Sequence, residues 1–248
     1  TSMATPIVAA STVLIRPKLK EMLERPVLKN LKGDDKIDLT SLTKIVMQNT
    51  ASPMIDPTTA KQASECLFAS PRQQGAGVIN VERALRTDVT ASFKVKDSVG
   101  LYNSYGAVSL KEIKGGSKDF TIDINNTGNK NAVFEIKAAP VTTDGEKQTT
   151  KLDEEYIDEE HKDGKQIVAE IHPVEVNGAK IIFKNLDKDG KITIPAKSSY
   201  QLNATIETGS AADGDKFVES FIKFISHTQD QPSLSMPLMG FAGNWNKE

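Results

Sequence analysis

The sequence predicts a chain of two parts, with helices of an α/β domain over residues 1–88 and an all-β sandwich over residues 89–248. Two observations support this division. Before about residue 88, apolar residues recur at helical spacing, whereas after residue 90 they alternate with polar residues at a period of two. Turn signals such as Gly115-Gly116, Asp144-Gly145 and Asp213-Gly214 separate the alternating runs. The first part is therefore expected to be helical and the second a sandwich.

The elements expected in the first part follow one another without long gaps. Thr5–Arg16 is apolar and rich in small residues, which suits a buried helix. Lys18–Lys32 is amphipathic and is interrupted by Pro26. Asp38–Thr50 has helical spacing and ends before a proline, and Val78–Leu85 predicts a short strand that runs into a short helix.

Short alternating runs predict the strands of the second part. They include Phe93/Val95, Val108/Leu110, Phe120/Ile122/Ile124, Val133/Phe134/Ile136, Ile181/Phe183, Ile192/Ile194, Leu202/Ala204/Ile206 and Phe221/Phe224. The polar stretch Thr142–Ala169 is expected to be a long excursion between strands. Trp245, near the end of the chain, is expected to anchor the last strand in the sandwich core.

The composition limits the class of protein. The chain is 38% hydrophobic and 26% charged with a formal net charge of −2, which argues against nucleic acid as the main partner. No apolar run is long enough to span a membrane. The single cysteine, Cys66, excludes an intrachain disulfide and is expected to be a buried, inert thiol. His161, His172 and His227 are never paired at metal-ligand spacing, so a zinc site is not expected.

The first residues contain the strongest chemical signal. Ser2 is followed by Met3-Ala4, by Pro6 and by a run of small and apolar residues, which suits a serine at the mouth of a buried helix. A helix N-terminus offers unpaired backbone N–H groups and a partial positive charge, which stabilise an oxyanion forming beside the serine. Ser2 is therefore the candidate catalytic nucleophile.

These residues resemble the signature around the catalytic serine of the subtilisin-like proteases, the subtilase family, which reads Gly-Thr-Ser-Met-Ala-x-Pro. Asn49-Thr50-Ala51, which closes an apolar helix, is similar to the helix that follows the serine in that family. The segment 74–81 resembles the glycine-containing turn before the final helix of the catalytic domain. The resemblance implies that residues 1–88 are the carboxy-terminal segment of a subtilisin-like domain.

A wider resemblance connects the chain to the cell-envelope proteinases of streptococci and lactococci. It rests on the segment 70–77 and on the ending Ser235–Trp245, and within the group it is greatest to members that cleave CXC chemokines. It implies a secreted endopeptidase associated with the bacterial cell wall. It also implies that residues 89–248 form a fibronectin type III-like sandwich and that the substrate is a chemokine-like protein.

The rest of a subtilase active site does not lie in this chain. In that family the aspartate, the histidine and the oxyanion asparagine precede the serine, and only Thr1 precedes Ser2 here. The chain is therefore expected to be inactive without an amino-terminal chain of the same protease. His161, His172 and His227 are expected to be surface or loop residues. No cofactor is expected in this chain, and any calcium sites of the enzyme are expected elsewhere.

Two charged segments allow more than one interpretation. Asn185–Gly190 begins like a calcium loop, but its twelfth position is Ala196 rather than glutamate, so a hairpin turn into the strand Ile192–Ile194 is favoured. The run Asp153–Glu160 carries six carboxylates in eight residues. It is interpreted as a solvated loop, with an acidic patch that steers a basic substrate as the functional alternative.

The whole chain also has a second interpretation. The sandwich could be a binding or adhesion module of a cell-surface protein, with residues 1–88 only a remnant. The first 88 residues distinguish the two hypotheses, because a separated segment would expose the apolar face of Thr5–Arg16. Such a face favours a partner chain, and with it the protease interpretation.

Overall fold

The computed structural model describes residues 3–57, 59, 67–152, 165–212 and 214–245. Helices come first along the chain. They are α1 (Ala4–Glu24), α2 (Pro26–Lys29), α3 (Leu39–Thr50), α4 (Pro71–Gln74) and α5 (Val81–Arg86). Side-chain oxygens cap three of them at the N-terminus: Asp38 at α3, Ser70 at α4 and Asn80 at α5 each accept a hydrogen bond from a backbone amide of the first turn.

Helix α1 is longer than the sequence pattern predicts. The sequence pattern gives Thr5–Arg16 and Lys18–Lys32 as two stretches, whereas α1 joins them through Pro17 and continues to Glu24. The helix ends before Pro26, at the interruption that the sequence predicts, because proline disfavours helical backbone at the residue that precedes it. Packing outweighs the helix-breaking tendency of Pro17, since Ile15 and Leu19 on either side of it are fully buried.

The rest of the described chain is built mainly of strands. They are β1 (Val89–Lys96), β2 (Tyr102–Tyr105), β3 (Val108–Ile113), β4 (Ser117–Asn126), β5 (Ala132–Ala138), β6 (Thr142–Leu152), β7 (Lys165–Glu175), β8 (Lys180–Phe183), β9 (Lys191–Ile194), β10 (Ser198–Glu207), β11 (Lys216–Ser226) and β12 (Leu234–Ala242). A five-stranded sheet has the order β2-β1-β4-β10-β8, and a seven-stranded sheet has the order β3-β12-β11-β5-β9 with β6 and β7 branching from β11. The expected two-sheet, mostly β architecture is confirmed.

Apolar side chains between the two sheets form the larger core. Alternate residues of β4 and β10 face inward from the five-stranded sheet, and residues of β5, β11 and β12 meet them from the other sheet. Phe134 and Phe224 make an edge-to-face contact in this core, with ring centroids 6.3 Å apart. A second, smaller core lies between α1 and α3, where Ile15, Leu19 and Met22 pack against Leu42 and neighbouring residues.

The charged stretch after residue 141 is more regular than the sequence predicts. The expected excursion Thr142–Ala169 instead forms most of a long hairpin in which β6 and β7 pair from Thr142↔Glu175 to Leu152↔Lys165. Cross-strand hydrogen bonding satisfies the backbone even though the side chains are polar, which is why the apolar alternation is missing. The acidic run Asp153–Glu160 lies outside the described residues.

Candidate functional site

The candidate catalytic residue, Ser2, lies outside the described residues, and the structure describes the helix that follows it. Helix α1 begins at Ala4, with Met3 in the capping position and no acidic residue in the first turn. The backbone N–H groups of such a first turn have no partner within the helix, and they carry the positive end of its dipole. A serine immediately before this turn is therefore adjacent in sequence to groups that favour an anion.

The amino-terminal half of α1 exposes apolar side chains. Ile7, Val13 and Leu14 are 60%, 69% and 62% exposed, and Met3 and Val8 are exposed as well. These residues cover about three turns of the helix, so they form a continuous apolar surface rather than isolated contacts. The apolar face that the sequence predicts for Thr5–Arg16 in a segment separated from the rest of its domain is present.

The carboxy-terminal half of α1 is fixed to the sandwich through Asp88. Lys18 Nζ and Arg25 Nη1 each lie 2.7 Å from Asp88 Oδ1, and Arg25 also donates to Thr127 Oγ1. Burial raises the pKa of Asp88, but the hydrogen bonds and charges of Lys18 and Arg25 lower it more, so the net shift is downward. The carboxylate therefore holds α1 against the start of β1.

The segment 74–81, which resembles a subtilase turn, has a structural role in this chain. Gly77 has φ of +109°, and a Cβ at this residue would lie 2.2 Å from the backbone oxygen of Ser52. Ser52 and Val78 pair as an antiparallel bridge, so only glycine allows this close approach. The side chain of Gln74 bonds to both backbone groups of Met54, which fastens the same turn to the chain after α3.

The helix that ends in Asn49-Thr50-Ala51 contacts the sandwich directly. Asn49 is fully buried, and its Oδ1 accepts a hydrogen bond of 2.8 Å from the Ala91 amide in β1. Gln48 Oε1 accepts one of 2.9 Å from the Gly106 amide. These side chains satisfy a backbone amide of β1 and one of the connection between β2 and β3, where both lie against α3.

A second contact between the helical residues and the sandwich is an ion pair between Arg72 of α4 and Glu219. Arg72 donates to Glu219 from Nε at 2.7 Å and to Asp144 from Nη2, and Ser70 Oγ donates to the same Glu219 oxygen at 2.9 Å. Glu219 lies on β11 and is only 1% exposed. The Arg72 guanidinium also stacks on Phe217, 3.9 Å from the ring centroid. This cluster connects the helical segment to the outer face of the seven-stranded sheet.

Sequence reasoning missed the Arg72–Glu219 pair, although part of the signal was present. Glu219 stands between Phe217 and Phe221 on one face of β11, and a carboxylate between two aromatic residues indicates a cationic partner. The sequence does not show which of the many basic residues reaches it. Arg72 lies 147 residues away in the chain.

The histidines divide into different environments. His227 follows β11 and is exposed, as expected, whereas His161 lies outside the described residues. The expectation for His172 is wrong, because it lies on strand β7, is mostly buried, and places Nδ1 3.3 Å from the buried carboxylate of Asp56. His172 is mostly buried because β7 passes beside the loop that follows α3.

The calcium-like segment Asn185–Gly190 is a turn. Asp187 Oδ1 accepts hydrogen bonds from the amides of Asp189 and Lys191, at 2.9 Å and 2.8 Å, so its carboxylate is used by the turn itself. The expected hairpin is wrong in one respect, since β8 and β9 on either side belong to different sheets. Among the described residues, no group of three or more His, Cys, Asp or Glu side chains could hold a metal ion.

Trp245 lies outside the sandwich core, contrary to the expectation for the last strand. Its side chain is 60% exposed, and its ring packs edge-on against Phe241 and Phe217 at centroid distances of 5.0 Å and 5.5 Å. These two phenylalanines are cross-strand partners on β12 and β11. They point outward because Val218, the neighbour of Phe217, points into the core.

The fold and the comparisons define the class of protein. The family model of the Fn3-like domain matches residues 108–239, which span β3 to β12, and the chain belongs to this family. Of the helices in the described chain, none is long and apolar enough to cross a membrane.

Whole-chain similarity extends to curated proteinases. The chain is 29% identical over 248 residues to the PI-type proteinase of Lactococcus lactis subsp. cremoris, which covers 99% of this chain and 11% of that protein. It is 24% identical over 252 residues to the C5a peptidase of Streptococcus pyogenes serotype M18, covering 99% of this chain and 18% of that protein. The chain thus spans less than a fifth of the length of these relatives.

Solved structures resemble the sandwich only weakly. The PapD-like domain 7 of human CEP192 superposes with a TM-score of 0.40 at 12% identity, over 64% of this chain and 87% of that domain. A likeness this weak says nothing about the function of the chain.

Proposed function

We propose that this chain is part of a subtilisin-like serine endopeptidase of the bacterial cell envelope and supplies its nucleophilic serine. In this proposal residues 1–88 complete the catalytic domain and residues 89–248 form its Fn3-like module. The observation that carries the proposal is that the similarity to named proteinases covers 99% of the chain. It therefore includes the helical segment before the Fn3-like match as well as the sandwich.

In the proposed mechanism Ser2 attacks the scissile carbonyl carbon of a peptide. A histidine from the amino-terminal part takes the proton of the hydroxyl, and an aspartate from the same part orients that histidine. The tetrahedral oxyanion receives hydrogen bonds from the backbone N–H of Ser2 and from an asparagine of the amino-terminal part. The histidine then donates its proton to the leaving amine, and water releases the acyl group from Ser2.

The exposed face of α1 supports an amino-terminal partner. A helix with Ile7, Val13 and Leu14 in water leaves a continuous apolar surface that packing against a sheet would bury. The other half of the same helix is fixed by Lys18 and Arg25 to Asp88. The sandwich would then act as a rigid support that holds the end of the nucleophile helix.

We further propose that the substrate is a host protein of the CXC-chemokine type and that the enzyme is secreted and associated with the cell wall. The resemblance of the sequence to chemokine-cleaving envelope proteinases supports this, and one similar protein is named for its action on C5a. The acidic run Asp153–Glu160 would attract such a basic substrate electrostatically. Charge-neutral substitutions in the run should slow cleavage at low salt only.

A fluorophosphonate serine probe tests the proposal. The purified chain is treated alone and after mixing with the amino-terminal portion of the protease, and peptide mapping locates the label. We expect labelling at Ser2 in the mixture only, and none in a mixture that contains Ser2→Ala. Absence of labelling although the two chains bind each other would refute the nucleophile assignment. The Fn3-like sandwich would then be favoured as a binding or adhesion module.

A further inference from the structure

The outer face of the seven-stranded sheet is covered at one end and open at the other. The helical segment covers it at Glu219 and Phe221, where Arg72 and Phe68 pack from above. Beyond Arg72 the same face continues into an open groove of about 810 Å³. We call it the Trp245 groove, and its main lining residues are Lys111, Lys114, Lys118, Phe217, Phe241 and Trp245.

The floor of the Trp245 groove is aromatic. Phe217, Phe241 and Trp245 pack edge to face in pairs, with centroid distances between 5.0 Å and 5.5 Å. Each ring therefore presents part of its surface to the groove. A bulky apolar side chain of a partner would pack against three rings that are already fixed in position.

Hydrogen bonds and stacking hold this floor in place before any partner binds. Arg72 lies over the ring of Phe217, on the side of the helical segment, and Arg72 is itself held by Glu219. The Trp245 amide donates a 2.7 Å hydrogen bond to Glu112 Oε1. Such preorganisation lowers the entropy lost when a partner is ordered on the surface.

The rim of the groove is positively charged. Lys111 and Lys114 are exposed, Lys118 is half-buried, and the neighbouring carboxylate of Glu112 is already engaged by Lys114 and by the Trp245 amide. Three ammonium groups against one engaged carboxylate leave an excess of positive charge around an apolar floor. A partner that complements both features carries carboxylates on either side of a bulky apolar side chain.

The backbone of the edge strand is closed to strand addition. β3 forms one edge of the seven-stranded sheet, and Lys118 Nζ donates to the backbone oxygens of Leu110 and Glu112, at 2.6 Å and 2.9 Å. These oxygens would otherwise accept hydrogen bonds from an added strand. Recognition in the groove therefore has to rely on side chains.

We propose that the Trp245 groove is a docking site for an acidic peptide segment of a partner protein that carries a central aromatic or large aliphatic residue. The apolar side chain packs on the three rings, and the flanking carboxylates pair with Lys111 and Lys114. This inference is independent of the proposed protease function, because it rests only on residues of the sandwich and the contacts of Arg72.

The chain contains its own reporter, since Trp245 is its only tryptophan. The whole chain is titrated with the acetylated peptide Glu-Glu-Phe-Glu-Glu while tryptophan fluorescence is recorded at low and high salt. We expect a saturable change that weakens with salt, and little or no change with Lys-Lys-Phe-Lys-Lys or Glu-Glu-Gly-Glu-Glu. Equal responses to the acidic and basic peptides, or no saturation with the acidic peptide, would overturn the proposal.

Matched charge variants separate the groove from the overall charge of the protein. K111E/K114E should weaken binding of the acidic peptide about tenfold, because two attractive pairs become repulsive. K130E/K188E changes the net charge equally at exposed lysines that do not line the groove, and should leave binding within about twofold. If both variants weaken binding equally, or if oligosaccharides saturate Trp245 fluorescence and peptides do not, the docking site does not exist as described.

Discussion

Removing the positive charge of Arg72 should lower the free energy of unfolding, because Arg72 joins the helical segment to the sandwich. The substitution Arg72→Met keeps an unbranched side chain of similar length over Phe217 but removes the guanidinium that faces Glu219. Glu219 then retains the hydrogen bond from Ser70 but has lost its cation, while only 1% of it is exposed to water. A buried carboxylate without its partner is strongly destabilising.

The size of the effect follows from the geometry. Breaking a buried ion pair by removing one partner costs about 3–5 kcal/mol. Because the Arg72 side chain is 29% exposed, part of the interaction is screened by water, and the lower end of this range applies. Loss of the stacking on Phe217 adds about 0.5–1 kcal/mol, partly replaced by the methionine thioether. We therefore expect R72M to lower the free energy of unfolding by about 3 kcal/mol.

Equilibrium urea unfolding, followed by circular dichroism and by Trp245 fluorescence, measures this difference. Arg86→Met is the matched control, because Arg86 pairs with Glu82 on the surface of α5 and its loss should cost less than about 1 kcal/mol. The double variant R72M/E219L should recover most of the stability, since it leaves no buried charge. If R72M and R86M lose the same small amount, Glu219 does not depend on Arg72 and the reasoning fails.

Substitutions of Asp88, Gly77 and Asn49 test three further contacts of the fold. The Asp88→Asn variant should be less stable than the wild type at about pH 7 and should lose less stability on acidification. Burial raises the pKa of Asp88 but its two basic partners lower it further, below the ordinary 3.8, so its stabilising contribution is complete above about pH 4 and is lost as the pH falls through the folded-state pKa. Gly77→Ala should be markedly more destabilising than Gly190→Ala. Both residues have positive φ, which costs alanine about 1–2 kcal/mol, but only at Gly77 would the new Cβ meet a backbone oxygen. Asn49→Ala should cost about 1–3 kcal/mol and should speed hydrogen exchange of the Ala91 amide, which loses its acceptor.

Each of these three predictions has an outcome that would contradict it. Parallel stability curves against pH for the wild type and D88N would mean that the carboxylate is not held by the basic side chains of α1. Equal losses in the two glycine variants would show that the chain around Gly77 can move away from the added methyl group. Unchanged exchange at Ala91 in N49A would mean that another group accepts its hydrogen bond.

Local sequence patterns predicted most of the secondary structure. The change from helical spacing to alternation appears in the fold as the end of α5 at Arg86 and the start of β1 at Val89. The pattern failed where side chains on both faces are polar, as in β6, and where packing carries a helix through Pro17. In both cases contacts remote in sequence outweigh local preference.

Some features of the candidate sites were indicated by the sequence, and others were decided by the tertiary structure. The sequence pointed to Ser2, to the apolar face of α1 and to the glycine-containing turn in residues 74–81, because each of these depends on neighbouring residues in the chain. It placed Trp245 in the core, whereas the structure puts this residue on the outer face of the seven-stranded sheet. A strand pattern shows which residues share a face but does not show which face is covered.

The sequence by itself determined a helical segment, a β-sandwich and a serine before an apolar helix, because hydrophobic spacing, turn residues and a short motif are local properties. Only the tertiary structure decided that Arg72 neutralises Glu219 and that the same outer face continues into an open aromatic groove. The Arg72–Glu219 pair joins residues 147 positions apart in the chain. The linear sequence contains many basic residues that could pair with Glu219. Only the folded backbone brings the side chain of Arg72 within reach of it.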